Sequence, residues 1–381
     1  MAIYKLFPYK DTTLYSQYPS MSVGLDAISE VNNQIGITGT PDVARFISQF
    51  DNTEILDVVN NKIGDKEWDA SFRSFISDAT GISTSTTLEI FPLAQDWNNG
   101  TGEFLDNPIT IDGSSWLFAN YGGGDAWNIE GTIGTEHFTS SFNTSFAPQG
   151  GGCWFYSGSG VPSYRSTQSF DLRSDKDLNV GVKTIVSGWY SGSIPNYGFI
   201  TKLSSNIEFN TSSSVQPTMK YYSVDTNTIY PPQLELKWRD YSSVLSGSES
   251  TIVSNPNVKM SLAENPGVFN AGSTNRFRLN ISPMYPTRTF QTSSFYVSKN
   301  YLPTASYYAL KDLDTNEYVI DFDTQYTQIS ADDTSNYFDI YMDGLEPERY
   351  YEILIKTTID GSTRTYNDNY YFKVSNGWAK K

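Results

Sequence analysis

The stretch "QLELKW", residues 233–238, alternates polar and apolar side chains one for one, with Leu234, Leu236 and Trp238 on one side and Gln233, Glu235 and Lys237 on the other. A two-residue period sends successive side chains to opposite faces of an extended chain and does not fit the 3.6-residue period of a helix. The segment reads as a half-buried strand. The same alternation recurs at Ser71-Phe-Arg-Ser-Phe-Ile76 and Thr87-Leu-Glu-Ile-Phe91. Between such runs stand Asn98-Asn-Gly100, Asp112-Gly113, Asp343-Gly344 and Asp360-Gly361, whose left-handed or type I′ geometry suits connections between antiparallel strands. Together they predict an all-β, mostly antiparallel fold.

Composition agrees. The 381 residues include 27 Tyr, 22 Phe and 8 Trp, a mixture that favours pleated, half-buried surfaces. A formal charge of −16 repels a phosphate backbone and offers nothing to an anionic bilayer, so neither nucleic acid nor membrane is an expected partner. Mean hydropathy is −0.42. No run approaches the roughly 18 apolar residues of a membrane-spanning helix. The one cysteine, Cys153, provides no internal disulfide and no cysteine-based zinc site. In "MAIYKLFPYKD" the apolar run is broken by Pro8 and is too short for a signal-peptide core, so export by the general route is not expected.

Helical signals are few. In Val182-Lys-Thr-Ile185-Val186-Ser-Gly-Trp189 apolar residues fall at i, i+3, i+4 and i+7, predicting about two helical turns. Thr40 and Pro41 could open another helix, but Arg45-Phe-Ile-Ser-Gln-Phe50 reads better as a strand. Residues 117–169 carry Tyr121-Gly-Gly-Gly124, Gly150-Gly-Gly152 and Ser157-Gly-Ser-Gly160, a density of glycine that predicts a long surface excursion. Residues 241–256 are Ser-rich and aperiodic. They are expected to link a first domain, 1–240, to a second, 257–381.

The order of landmarks over about residues 3–240 carries a resemblance. Asp11-Thr-Thr-Leu14 leads through Pro19 and Gly24; Arg45-Phe-Ile-Ser-Gln-Phe50-Asp51 follows, then Ala70-Ser-Phe72-Arg-Ser-Phe75, Leu88-Glu-Ile90, Asp96-Trp-Asn-Asn-Gly-Thr101, the helical turn to Trp189, and Asn196-Tyr-Gly-Phe-Ile200. This order resembles the DNRLRE-type, disaggregatase-related jelly-roll modules, usually classed with carbohydrate-binding domains. The resemblance implies that "DTTLYSQYPSMSVG", residues 11–24, is an edge strand and turn opening a sandwich, with Leu14 inward and its polar neighbours in water. The Gly-rich excursion is longer than that family's loop. Farther on, Leu345-Glu-Pro347-Glu-Arg-Tyr-Tyr351 resembles the tyrosine corner of fibronectin type III domains. That likeness implies an immunoglobulin-like sandwich in which the Tyr351 hydroxyl returns to backbone near the Leu-Pro turn, Tyr351, Ile353 and Ile355 face the core, and Tyr370-Tyr-Phe372-Lys-Val374 is the last strand. Phrases such as Met284-Tyr-Pro-Thr-Arg-Thr-Phe290 and Ile320-Asp-Phe-Asp323 resemble virion structural proteins of contractile-tailed marine cyanobacterial phages.

A search for chemistry finds little. His137 is the only histidine, and no Gly-x-Ser-x-Gly elbow accompanies it. Asp321 and Asp323 would share one wet strand face, and Asp332-Asp333 forms another acidic pair, yet sequence spacing does not set the carboxyl separation a glycosidase needs. Asp312, Asp314, Asn316 and Glu317 echo a calcium loop but read better as a turn between strands. No cofactor or metal is expected. Of the tryptophans, Trp97 and Trp189 read as core, with Trp116 a further aromatic candidate. Trp127 and Trp154 lie in the Gly-rich excursion and read as a private mini-core, a sugar platform or an anchor on a partner subunit. Tyr121, Tyr156 and Trp378 join them as candidate partner or glycan contacts. The expected function is that of a non-enzymatic virion protein docking on other virion proteins, its oligomeric state imposed by the particle. The alternative is an adsorption module for cell-surface polysaccharide.

Overall fold

The computed structural model describes residues 2–36, 39, 41–83, 85–128, 130–133, 136–139, 150–155, 163–210, 216–245, 250–263, 265–285 and 299–376. The fold is all-β, with 47% strand and 9% helix. Two compact units divide the chain. One comprises Leu6–Gly64 and Asp69–Glu235, the other Met1–Lys5, Asp65–Trp68 and Leu236–Lys381.

In the first unit the strands are β1 (Pro8–Tyr15), β2 (Ile28–Ile35), β3 (Pro41–Phe50), β4 (Trp68–Ser74), β5 (Ile76–Thr80), β6 (Thr86–Pro92), β7 (Ser166–Phe170), β8 (Leu178–Gly181), β9 (Phe199–Leu203) and β10 (Thr218–Tyr222). Eight of them form one sheet of order β7-β6-β9-β3-β2-β10-β5, with β1 paired to β3. β4 and β8 pair separately, Ser71–Ser74 against Leu178–Gly181. The strand expected at Arg45–Phe50 is therefore present, and it is the sheet's hub. Its residues 41–44 pair with β2, 46–48 with β9 and 44–50 with β1. Ring contacts fill the interior: Phe72 stacks on Phe199 at 5.0 Å, and Trp189 lies 4.7 Å from Phe199. Trp189 arrives on the expected helix, Lys183–Ser191, whose Ile185, Val186 and Trp189 are buried and whose end is closed by left-handed Gly192. A second helix, Asn52–Asp57, was not foreseen, although Asp51 caps it by accepting from Thr53 N at 2.7 Å.

The opening strand corrects one expectation. Leu14 does point inward, but its polar neighbours are not in water: Asp11, Thr12 and Thr13 are all buried. Thr13 Oγ1 accepts from Glu30 N and Asp11 accepts from Val224 N at 2.9 Å, bonds that make burial tolerable. "QLELKW" is likewise a strand, Gln233–Trp238, but is not half-buried, since Gln233 and Glu235 are also enclosed. Arg73 neutralises Glu235 at 2.9 Å.

In the second unit, β11 (Val258–Ala263), β12 (Thr274–Pro283), β13 (Ser306–Asp312), β14 (Tyr318–Ile320), β15 (Ser330–Ala331), β16 (Asn336–Tyr341), β17 (Tyr350–Ile359) and β18 (Ser362–Ser375) make two sheets, β11-β12-β16-β15 and β18-β17-β13-β14. Val268–Asn270 pairs in parallel on the free edge of β18. These pairings match the ABED and GFC sheets of an immunoglobulin-like sandwich. Between them lies a core of Phe277, Tyr308, Phe338, Ile353, Ile355 and Phe372. Tyr351 is buried and its hydroxyl donates to the Glu346 carbonyl at 3.0 Å, the corner bond the sequence implied. Asp360 and Gly361 both have positive φ, 50° and 71°, and turn β17 into β18 as a two-residue hairpin. Asp343-Gly344 instead lies in a short 3-10 turn. Asp321 and Asp323 follow the end of β14, and Asp323 caps a turn by accepting from Gln325 N and Tyr326 N, so they share no strand face.

Candidate functional site

Five tryptophans came forward as sugar platforms or core residues, and all five are closed off. Trp97, Trp116, Trp127, Trp154 and Trp189 are each less than 5% exposed. For Trp97 and Trp189 this is the expected core role. For Trp127 and Trp154 it is a correction to the platform and anchor alternatives, because a buried ring has no free face on which to stack a sugar or a partner. Trp154 enters the main core of its unit, stacked 5.9 Å from Phe91. Trp127 donates through Nε1 to the Ser115 carbonyl at 2.8 Å. Tyr121 is 37% exposed and meets Phe118 edge-on at 4.9 Å. Tyr156, Trp378 and the side chain of His137 lie outside the described residues.

The excursion is also not all surface. Gly150, Gly151 and Gly152 have positive φ and are buried. A Cβ on Gly151 would sit 2.7 Å from Arg45 and from the Trp116 ring, so glycine is required there by close approach. This packing serves a dry ionic cluster. Arg45 Nε lies 2.7 Å from Glu208 Oε1, its Nη1 donates to the Gly151 carbonyl at 2.6 Å, and its guanidinium lies 4.9 Å from the Trp116 ring and 5.2 Å from Trp154. Lys202 Nζ reaches Glu208 at 3.0 Å and Glu89 at 3.4 Å, and Arg165 meets Glu89 at 2.6 Å. Burial alone would push the Glu208 carboxyl up, but Arg45 and Lys202 overcome it and hold the group below its usual range. Arg45, Lys202, Glu208 and Glu89 are enclosed and orient strands, while Arg165 caps the cluster at the surface. The Cys153 thiol is similarly buried, and burial pushes its pKa up, away from reactive thiolate.

Among the apolar side chains this unit exposes, four lie together on one loop, which the Asn98-Asn-Gly100 and Asp112-Gly113 turns only begin and end. Residues 98–115 do not connect adjacent strands; they fold onto the 22–26 turn. Asn99 Nδ2 donates to the Gly24 carbonyl at 2.6 Å, Ser22 N to the Thr110 carbonyl at 2.9 Å, and Leu25 N to the Gly102 carbonyl at 3.0 Å. Approach is so close that a Cβ on Gly24 would lie 2.2 Å from the Asn99 carbonyl oxygen. Asp26 and Asp106 accept further backbone and hydroxyl donors, among them Phe104 N, Glu103 N and Thr110 Oγ1. On this pinned frame Phe104, Leu105, Ile109 and Ile111 are 40%, 60%, 48% and 43% exposed. No alternation or helical period marks them in the sequence. The signal available was four large apolar side chains in a stretch too rich in Asp, Asn and Gly to be a core element.

Beside Phe104 lies a cleft of about 220 Å³ on the face of the paired strands β3, β2 and β10, lined by Tyr15, Glu30, Asn32, Asp42 and Lys220 among others. Among the described residues no group of three or more His, Cys, Asp or Glu is placed to hold a metal ion, and no helix is long and apolar enough to cross a membrane.

No protein-family model and no curated protein matches the chain. Among solved structures, the adhesin domain of Epf from Streptococcus pyogenes aligns at 9% identity over 98% of each chain, with a TM-score of 0.16. The binding domain of botulinum neurotoxin DC, solved in complex with rat synaptotagmin II, aligns at 9% identity over 96% of this chain and 74% of its own, with a TM-score of 0.18. Likenesses at this level carry no argument about the chain.

Proposed function

We propose that this protein is a non-enzymatic docking component of a tailed-phage virion, gripping neighbouring virion proteins through its outer surfaces. The observation that carries the docking part is the loop at 98–115. Water penalises exposed Leu and Ile, and a loop this firmly hydrogen-bonded has no conformational freedom with which to hide them. Rigid apolar anchors in a polar surround are what a partner covers at low entropic cost. The assignment to a virion rests on the sequence resemblance. The enclosed position of the ionic cluster and of Cys153 supports the non-enzymatic part, since the most strongly interacting charged groups are committed to the fold.

The test uses purified phage particles. Peptides of the wild-type chain are expected in the particle by mass spectrometry, and a chain carrying Leu105→Asp and Ile109→Asp is expected to fold with an unchanged unfolding midpoint yet be missing from particles. Absence of the wild-type chain from particles overturns the virion assignment. Full incorporation of the double variant overturns the role of the loop.

A further inference from the structure

We propose that this protein associates with itself head to tail, the loop at 98–115 of one copy seating on the outer face of the β18-β17-β13-β14 sheet of the next. The proposal rests on the docking role of that loop and names its partner; it does not depend on the virion assignment. Alternation fixes what the sheet face shows. Tyr351, Ile353 and Ile355 of β17 point into the core, so Tyr350, Glu352 and Lys356 point out. Register carries the pattern across the sheet. Tyr371, Glu352, Lys311 and Tyr318 stand side by side on β18, β17, β13 and β14, and Lys373 stands opposite Tyr350 in the neighbouring row.

This face leaves large side chains open to water. Tyr371, Tyr318 and Tyr350 are 53%, 46% and 45% exposed, and Leu313, whose N–H donates to the Tyr350 carbonyl, is 44% exposed. Tyrosine brings much contact area at a low cost in conformational freedom. Lysines lie over the rings: Nζ is 4.3 Å from the ring centre for Lys356 on Phe322, 5.8 Å for Lys373 on Tyr350 and 5.9 Å for Lys311 on Tyr318. Against these three stand Glu352 and Glu348, the latter paired with Lys373. The face is therefore positive, on a chain whose formal charge is −16.

The loop is its counterpart. Between Arg73 and Arg165 the sequence has no lysine or arginine. Glu103 and Asp106 flank the Phe104-Leu105 pair, Asp112 follows Ile111, and Asp26 joins them from the turn beneath. Backbone donors hold Asp26, Asp106 and Asp112 in place, so the negative rim is as fixed as the apolar anchors, with Lys220 acting on Asp26 from β10. Such a rim repels an anionic partner and matches aromatic rings edged with lysines. One chain that carries both halves of a complementary pair makes a heterologous contact, which every copy can repeat in a ring or a row. Two patches of a few exposed side chains each are smaller than a standard interface, so the contact is weak.

Sedimentation velocity of the purified full chain tests this, beside a loop variant, Leu105→Asp with Ile109→Asp, and a face variant, Tyr318→Ser with Tyr371→Ser. The wild-type chain is expected to form dimers and larger species with a Kd on the order of 10–100 μM, weakened roughly tenfold between about 50 mM and about 0.5 M salt. Each variant alone is expected to be monomeric with an unchanged unfolding midpoint. An equimolar mixture should give a one-to-one dimer and nothing larger, because the intact loop of one variant still finds the intact face of the other. A wild-type chain that stays monomeric overturns the proposal, as does a mixture without the dimer. So does association by either variant alone, which would mean a loop-to-loop or face-to-face contact, or tighter association at high salt. If the loop variant is missing from particles while the wild-type chain never self-associates, this proposal fails and the docking role stands with another partner. If the loop variant enters particles while the mixture still dimerises, the docking role in the particle fails and self-association stands.

Discussion

The two units place their charges in opposite ways. In the unit built on β1–β10, Arg45, Lys202 and Glu208 have side chains 0% exposed, and a chain of ion pairs runs from them through enclosed Glu89 out to Arg165 at the surface. In the C-terminal sandwich the main core is aliphatic and aromatic, and the bidentate pairs Arg276–Asp339 and Arg278–Asp332 sit on an outer face with the arginines 47% and 29% exposed, Asp312, paired with Arg349, being the enclosed exception. Both arrangements hold strands in register. They differ in what is lost when one member is removed, because a buried charge without its partner has no water to fall back on, whereas an exposed one does. A sandwich can therefore be fixed by internal charges that tolerate no change or by external ones that tolerate almost any.

The largest break in this comparison should come at Glu208. Glu208→Ala leaves Arg45 and Lys202 facing one another without their shared carboxylate, at an expected cost of about 3–5 kcal/mol in urea unfolding. Replacing Arg45, Lys202 and Glu208 together by Met, Met and Leu should cost distinctly less, since no orphan charge remains. The pH dependence has a fixed sign. Glu208 is held below its ordinary pKa of 4.5, so the unfolded chain binds the proton first as pH falls. Its contribution is whole above about 4.5 and is lost as pH drops through the lower folded value. If Glu208→Ala costs no more than an exposed pair, the contrast between the units fails.

Asp11 gives the next effect, with the opposite sign. It is buried without a cation, and burial first, then Asp225 and Asp26, push its carboxyl up to about 8 despite the bond from Val224 N. Between the ordinary value of 3.8 and about 8 the folded chain carries a proton that the unfolded chain lacks. Stability therefore falls as pH rises through that window, by up to about 1.4 kcal/mol per pH unit. Asp11→Asn keeps an acceptor for Val224 N and should flatten the slope between pH 5 and 8, most visibly as a gain at pH 8. Unfolding midpoints measured at three pH values decide it; an unchanged slope would mean that Asp11 is ionised in the fold.

How much of this was legible follows from how local each signal is. Alternation, the Asp360-Gly361 turn and the 3.6-residue period before Trp189 are written within a few residues, and each produced the element expected. The Tyr351 corner was legible because its acceptor lies only five residues away. The ionic cluster was not: Arg45 meets Glu208 across 163 positions, and neither neighbourhood announces the other. Trp154 was misplaced for the same reason, since glycine density near it signals conformational freedom without revealing that the freedom is used to let Gly151 pass Arg45. The cleft depends on bringing Tyr15, Glu30, Asp42, Phe104 and Lys220 together, which only strand order accomplishes.

Tyr351→Phe is a smaller and more local test. It removes one hydrogen bond to the Glu346 carbonyl while keeping the buried ring against Phe372 at 5.8 Å. The expected loss is about 1 kcal/mol, confined to the C-terminal unit's unfolding transition. A loss several times larger would place this bond in the same class as the internal charges of the other unit and blur the distinction between them.

Arg276 should give the smallest effect. Its guanidinium donates to Asp339 at 2.8 and 2.9 Å, directly across from it in the β12–β16 ladder, and lies 4.2 Å over the Tyr337 ring. The geometry is good, but water screens both partners, and the hydrogen bonds lost on substitution are largely recovered from solvent. Arg276→Ala is expected to cost about 0.5–1 kcal/mol, part of it from the Tyr337 contact, and the cost should shrink further in 1 M salt as the ionic share is screened. Glu208→Ala should by contrast change little with salt, because counterions do not enter its site. Measured side by side at low and high salt, the two substitutions separate charges that organise an interior from charges that decorate a surface, and equal salt sensitivity would remove that separation.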